Sequence, residues 1–275
     1  MGVLEERIIN NILSRVKGLY RLDHYDLKKV NEHAGGRNII YICECNKEKE
    51  YVIRISLTGD RTEEDYLAET EFVHYLAEGG ASVADVIPSV NGKLVEIITD
   101  KGKDIFVSLF NYAKGMLISD KGYCYREGAP LSEYFYNTGK TLGKIHNLSK
   151  GYSPKHKRMD YFDKYNMDYL NQLISDEYAE LKKAIARKLA LFQKFPRTEA
   201  EYGLVHFDYS DGNYHIDYTN GRIVVFDFDN CMKCWYMFDL ANLWTHGVGW
   251  CQYEKEAEKR KEFMKEICYA NTCRN

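Results

Sequence analysis

Proline is scarce, four residues in 275, and no Pro- or Ser-rich stretch offers a linker between independent modules. Long apolar runs are missing. None approaches the ~18–20 residues that a helix needs to cross a bilayer, so no membrane association is expected. A basic excess is missing too: 38 Lys+Arg stand against 41 Asp+Glu, a formal net charge of −3. A dedicated nucleic-acid binder normally carries a strongly basic face, and none is expected here. Eight cysteines are too dilute for a disulfide scaffold. Glu5 and Glu6 stand where a signal peptide would be basic and then apolar, and Glu6 also breaks a myristoylation motif. A cytoplasmic chain with reduced thiols is expected. The pairs Cys43/Cys45 and Cys231/Cys234 lack the second ligand pair of a zinc site and read as structural thiols.

What is present is an ordinary globular composition, 45% apolar and 29% charged, long enough for one large domain or two modest lobes. Leu4, Ile8, Ile12, Val16 and Leu19 recur at helical spacing over residues 3–19. Two β-rich runs follow at 39–43 and 51–55, joined by a polar hairpin link at 46–50. A helix is predicted over 63–78, with Leu67, Phe72, Val73 and Leu76 on its apolar side and Gly79 and Gly80 ending it. Strands are expected at 94–99 and 105–111. After Gly115 the pattern is mainly helical, with helices at 131–148, 176–195 and 253–267 and short strands only at 203–206, 214–218 and 222–226. The predicted class is α+β: a small antiparallel-sheet lobe over 1–110, a hinge over 111–116 and a mainly helical lobe over 117–275.

The densest cluster of chemically capable side chains is His206-Phe207-Asp208-Tyr209-Ser210-Asp211-Gly212-Asn213, followed by Val225-Phe226-Asp227-Phe228-Asp229. A loop after a strand offers the Asp208 carboxylate and the Asn213 amide oxygen. Asp227 emerges from the end of the next apolar strand. An amide and a carboxylate converging from adjacent loops suit Mg²⁺, which takes few protein ligands and completes its shell with water and phosphate oxygens. Asp208 is then left as the acceptor of a hydroxyl proton. The order His206-x-Asp208-x-x-x-x-Asn213, then Asp227-Phe228, is the protein-kinase arrangement.

Here the chain resembles the aminoglycoside phosphotransferase/choline-kinase-like family, small-molecule kinases with a bilobal protein-kinase-like fold. Leu204-Val205-His206-Phe207-Asp208 resembles the family's catalytic loop and Val224-Val225-Phe226-Asp227 its metal-binding strand. Phe238-Asp239-Leu240-Ala241 and Leu142-Gly143-Lys144-Ile145-His146 are similar to two of its helix motifs. His206 reads as structural, and Asp239 as a helix cap or a brace of the catalytic loop. In the first lobe the resemblance places Gly35, Gly36 and Asn38 in the nucleotide loop, Arg54 at the phosphate-binding position, and Glu69 as its partner, with Glu71 an alternative. Asn111 and Ala113 would present hinge backbone to adenine. Two departures stand out: Phe207 replaces a glycine, and Arg54 replaces a lysine whose geometry it does not share.

The resemblance implies transfer of the γ-phosphoryl group of ATP or GTP, with Mg²⁺, to the hydroxyl of a small molecule. Asp208 would be the base, and Asn213 and Asp227 would hold the metal. A protein Ser/Thr kinase is disfavoured because no A-P-E segment follows Asp227. A catalytically weak nucleotide-binding protein of the same fold is the remaining alternative. Gly139-Lys140-Thr141 imitates the end of a P-loop, but Tyr134 occupies the place of its first glycine. Residues 160–180 mix tyrosines with carboxylates, among them Asp163 and Asp168. They read either as a surface for a cationic acceptor or as ordinary amphipathic helices with half-buried tyrosines.

Overall fold

A computed structural model describes residues 3–30, 38–57, 61–250 and 265. Gly35, Gly36 and, apart from Lys265, the helix expected over 253–267 lie outside them. The chain runs α1 (Val3–Tyr20), β1 (Asp26–Lys29), β2 (Asn38–Cys45), β3 (Glu48–Ser56), α2 (Glu63–Glu78), β4 (Val86–Ile87), β5 (Glu96–Asp100) and β6 (Lys103–Asn111). It continues with α3 (Leu131–Lys150), α4 (Tyr161–Lys164), α5 (Met167–Leu173), α6 (Ala179–Phe192), β7 (Tyr202–Val205), β8 (Tyr214–Ile216), β9 (Ile223–Val225), β10 (Met232–Trp235) and α7 (Met237–Trp250). The α+β class holds: an antiparallel sheet comes first and a mainly helical part follows. No described helix is long and apolar enough to cross a membrane.

The sheet has the order β1-β2-β3-β6-β4, with β5 also paired to β6. Strand alternation sends successive side chains to opposite faces. Ile39, Tyr41 and Cys43 of β2, Ile53 and Ile55 of β3, and Ile105, Val107 and Leu109 of β6 pack under α1. Between them, Ile40, Ile42, Val52, Arg54 and Phe110 face the other way, into a cleft. The apolar stripe of α1 is Ile9, Ile12, Val16 and Tyr20, turned slightly from the predicted one, and Ile8 and Leu19 are only half-buried at its edge.

Helix α2 starts on a capping box. Thr62 Oγ1 accepts from the Asp65 N–H at 3.2 Å, and the Thr62 N–H donates to Asp65 Oδ2 at 3.0 Å. Its apolar side does not pack on the sheet core. Phe72, Val73 and Leu76 join Leu142 and Ile145 of α3, Leu204, Val225 and Phe228 in a second core. The helix carrying Glu69 is therefore seated on the mainly helical half of the molecule.

Three strands escape the sequence reading: β1, β4 and β10. Strand β10 is four residues of mixed chemistry and is a strand because it pairs antiparallel with β7. The expected strand at 214–218 stops at Ile216, since Asp217 turns the chain by accepting from the Thr219 and Gly221 N–H groups at 2.9 and 2.7 Å. Cys43, Cys231 and Cys234 are buried free thiols. Burial pushes the Cys43 and Cys231 thiols up to about 12, which suits packing and not reactivity.

The link out of β6 is pinned to the mainly helical half. Met116 and Ile216 exchange backbone hydrogen bonds of 3.1 and 2.9 Å. The preceding Gly115 has φ +121, and a Cβ there would lie 2.3 Å from the Ile216 carbonyl oxygen. Gly115→Ala should lower the free energy of unfolding by at least about 1–3 kcal/mol, through a backbone conformation that only glycine adopts freely. Urea denaturation checks this, and a wild-type midpoint would contradict it.

Candidate active site

The 206–213 segment leaves β7 and turns under one carboxylate. Asp239, at the start of α7 and fully buried, accepts the His206 N–H at 3.1 Å and the Phe207 N–H at 2.8 Å. His146 Nε2 of α3 lies 2.9 Å from the same carboxylate. These contacts make Asp239 a brace of the loop, spent on backbone and imidazole. His206 is structural as well. Its Nε2–H donates to the Phe226 carbonyl at 3.0 Å, and its Nδ1 accepts the Asp208 N–H at 3.3 Å, which assigns the tautomer.

Phe207 has φ +69, the left-handed region that costs a non-glycine residue about 1–2 kcal/mol. That is the physical reason a glycine suits this place. Here a ring stack compensates: Phe207 lies against Phe238 at 5.1 Å and 13°, and against Tyr165 at 5.7 Å and 26°. Asn242 Nδ2 holds the Phe207 carbonyl at 2.6 Å. Asp208 is half-buried, with Asn230 Nδ2 3.5 Å from its Oδ2.

Asn213 donates its amide N–H to the Asp208 carbonyl at 2.8 Å, which leaves its amide oxygen as the metal-capable atom. Asp227 also sits at a left-handed φ, +62. Asp227 is an exposed residue of the cleft wall, yet protein around its carboxyl holds its pKa above the usual carboxylate range. Burial is the main cause, with Asp229 and Glu69 adding to it and Arg54 and His206 opposing.

On the sheet side, Arg54 and Glu69 form a two-pronged pair, Nη1 to Oε1 at 2.6 Å and Nη2 to Oε2 at 2.8 Å. Both side chains are buried. Burial works against the Arg54 charge, and Glu69 outweighs it, so the guanidinium is held more firmly protonated than usual. Glu71, the alternative partner, points elsewhere: its Oε1 meets His156 Nδ1 at 2.8 Å.

A cleft of about 580 Å³ gathers Asn38, Arg54, Glu69, Asn111, Ala113, Asn213 and Asp227 along its walls. Asp208 is not among the lining residues and stands beside them through Asn213 and Asn230. Among the described residues no three of His, Cys, Asp and Glu form a metal cage. A hard cation at Asn213 and Asp227 would therefore complete its shell with phosphate oxygens and water.

Two buried arginines had no signal in the sequence. Arg61 lies 3.6 Å from Asp229 Oδ1, and Arg158 holds backbone carbonyls of the same turn. In the tyrosine-rich stretch, Asp160 and Asp163 close a capping box on α4, and Asp160 also accepts the Tyr202 hydroxyl at 2.7 Å. Lys164 covers the Tyr165 ring at 5.5 Å. Those two carboxylates serve local structure.

This bilobal arrangement is a protein-kinase-like phosphotransferase fold. Solved amicoumacin kinase, in complex with AMP-PNP, Ca²⁺ and Ami, superposes with a TM-score of 0.82 at 24% identity, over 95% of this chain and 76% of that one. A microcompartment-associated aminopropanol kinase gives 0.72 at 17% identity, over 96% and 82% of the two chains. The family described as "Phosphotransferase enzyme family" matches residues 33–261, and the chain belongs to it. Amicoumacin kinase of Bacillus subtilis (strain 168) is 29% identical over 232 residues, 82% of this chain and 66% of that protein. An uncharacterised protein of Synechocystis sp. (strain ATCC 27184 / PCC 6803 / Kazusa) is 26% identical over 231 residues, 79% of this chain and 60% of that protein. The chain thus spans 66% and 60% of the lengths of these two relatives.

The raised pKa of Asp227 has a consequence for stability. A proton binds this carboxylate more tightly in the folded than in the unfolded chain. Its favourable contribution is therefore present below the unfolded carboxylate pKa and is lost as pH rises through the raised folded value. In the ligand-free protein at neutral pH, Asp227→Asn should keep or raise the melting temperature, by an amount moderated by the solvent in the cleft. The advantage should fade on acidification. A variant less stable than wild type at neutral pH would show that Asp227 is a structural carboxylate.

Proposed function

We propose that the protein transfers the γ-phosphoryl group of ATP or GTP to a hydroxyl of a small molecule. The observation that carries this reading is one cleft holding the Arg54–Glu69 pair opposite Asn213 and Asp227, with Asp208 alongside on a loop locked by Asp239. Residues 1–110 would form the nucleotide lobe, 111–116 the hinge and 117–275 the acceptor lobe. Asn38 and the neighbouring Gly35 and Gly36 would cover the phosphates. In the hinge the Asn111 N–H is taken by Asp85 O at 2.8 Å, and the Ala113 carbonyl lies 2.5 Å from His215 Nδ1. A purine here would meet the Ala113 N–H.

Arg54, oriented by Glu69, would bind phosphate oxygens through the in-plane N–H groups that Glu69 leaves free. Asn213 and Asp227 fit a divalent cation by donor chemistry: a neutral oxygen beside a carboxylate whose own proton affinity is raised. When bound, Mg²⁺ would neutralise phosphate charge and hold the triphosphate in line. Asp208 would orient the acceptor hydroxyl and take its proton, and Asp239 and His206 would keep that loop still. Positioning and charge neutralisation dominate such chemistry. The AMP-PNP and Ca²⁺ of the solved amicoumacin kinase support a nucleotide with a divalent cation. The name of the Bacillus relative makes amicoumacin the first acceptor to screen. A cationic acceptor is the narrower form of the proposal, tested by whether its KM rises with ionic strength.

Asp208→Asn keeps shape and one acceptor oxygen but cannot take a proton. It should leave folding and nucleotide binding intact while turnover falls by ~10²–10⁴. Product formation in an acceptor screen read by ADP release measures this, and near wild-type turnover would remove Asp208 from the mechanism. Arg54→Ala leaves Glu69 as a buried unpaired carboxylate and should abolish most activity, at a stability cost of about 3–5 kcal/mol. Arg54→Lys should retain measurable activity with an altered nucleotide KM. Wild-type kinetics in Arg54→Ala would overturn the phosphate assignment.

A further inference from the structure

The segment between α3 and α4 carries a basic run, Lys155-His156-Lys157-Arg158, laid against the acidic side of α2. His156 Nδ1 meets Glu71 Oε1 at 2.8 Å, and the Lys157 N–H donates to Glu64 Oε1 at 3.2 Å. Arg158 goes deeper, with 2% of its surface exposed. Its Nη1 donates to the Asp65 carbonyl at 2.9 Å and lies 3.4 Å from Asp65 Oδ1, both on the first turn of α2. Its Nε donates to the Cys231 carbonyl at 2.5 Å, and its Nη2 donates to the Asp229 carbonyl. One planar fork thus bridges the helix that carries Glu69 and the turn that begins at Asp227.

We infer that Arg158 is a positioning residue for phosphoryl transfer, setting the spacing between the Arg54–Glu69 pair and the Asp227 turn. The inference rests on the phosphotransferase reading. A guanidinium is planar and rigid, so three carbonyls and a carboxylate around it define relative position far more tightly than apolar contact does. Asp229 is held from two sides, its carbonyl by Arg158 and its Oδ1 3.6 Å from Arg61. That fixes the turn on which Asp227 is presented. Glu69 lies one helical turn beyond Asp65 on α2, so a shift of the Arg158 bridge moves the phosphate-binding arginine relative to Asp227. Phosphoryl transfer depends on that distance, because misplacement by about 1 Å can slow a reaction ~10²-fold.

The test measures ATP hydrolysis with Mg²⁺, and binding of AMP-PNP with and without Mg²⁺, in wild type, Arg158→Lys and Asp65→Asn. Arg158→Lys keeps the charge and loses the fork. Its kcat should fall ~10–10²-fold, with KM for ATP within about threefold of wild type, and the melting temperature should fall because the buried carbonyls lose part of the fork. Asp65→Asn leaves Arg158 in place, keeps an oxygen for the Thr62 cap and turns an N–H toward the guanidinium. It should lower kcat in the same direction by a smaller factor. Wild-type kcat in a folded Arg158→Lys overturns the inference and leaves the phosphotransferase reading standing. If Arg158→Lys does not fold, wild-type kcat in Asp65→Asn does the same. Absence of Mg²⁺-dependent AMP-PNP binding and of hydrolysis in wild type overturns both.

Discussion

A single carboxylate with no solvent contact, Asp239, holds the centre of this protein together. It receives two successive backbone N–H groups, those of His206 and Phe207, and the imidazole of His146. The two amides belong to a loop whose second residue sits at a left-handed φ, so they have no strand or helix partner to fall back on. Each buried N–H left unpaired would cost about 1–3 kcal/mol. The loop that offers Asp208 therefore has its shape dictated from α7, and α7 in turn is tied to α3. The fold itself thus limits conformational freedom at Asp208, as the role proposed for it would require when a protein does little covalent work.

Charge organises the rest of the cleft. Asp229 and Glu69 stand close enough to raise the proton affinity of Asp227, with Arg54 as the main opposing charge on it. Arg61 and Arg158 surround the turn from behind. A buried ion pair such as Arg54–Glu69 adds little net stability, but breaking it is costly, and its worth lies in presenting a guanidinium in one orientation. Arginine in place of lysine is consistent with that: the two-pronged contact to Glu69 uses both terminal nitrogens, a geometry an ammonium cannot reproduce. The same principle holds at Phe207, where a residue too large for its backbone conformation is kept by a stack of rings.

The helix carrying Glu69 bridges the two halves in a way the chain order conceals. It follows the first strands in sequence, yet Phe72, Val73 and Leu76 are part of the core beneath the loop that carries Asp208. The sheet's own core is completed by α1, which arrives from the N-terminal side. The sheet face opposite α1 is consequently left to line the cleft, and Arg54 alternates onto that face between Ile53 and Ile55.

Local spacing in the sequence determined much of this. Period-two alternation set which residues of β2, β3 and β6 face the core and which face the cleft, and helical spacing marked α1, α2 and α3. The interval between His206, Asp208 and Asn213, and the placing of Asp227 at a strand end, are local properties that survive in a linear reading. So is the Arg54–Glu69 partnership, through the resemblance of the strand and helix that carry it. What only the tertiary structure decided are contacts between residues far apart in the chain: Arg158 to Asp65, 93 residues away, and His146 to Asp239, also 93 residues away. Strand β10 belongs with these, since its pairing with β7 makes it a strand. No periodicity encodes such pairs, and the two motifs that contain His146 and Asp239 mark each residue without saying that they meet. They become functional groups only when packing of α2 against α3 and the catalytic turn takes them out of water and sets them against one another.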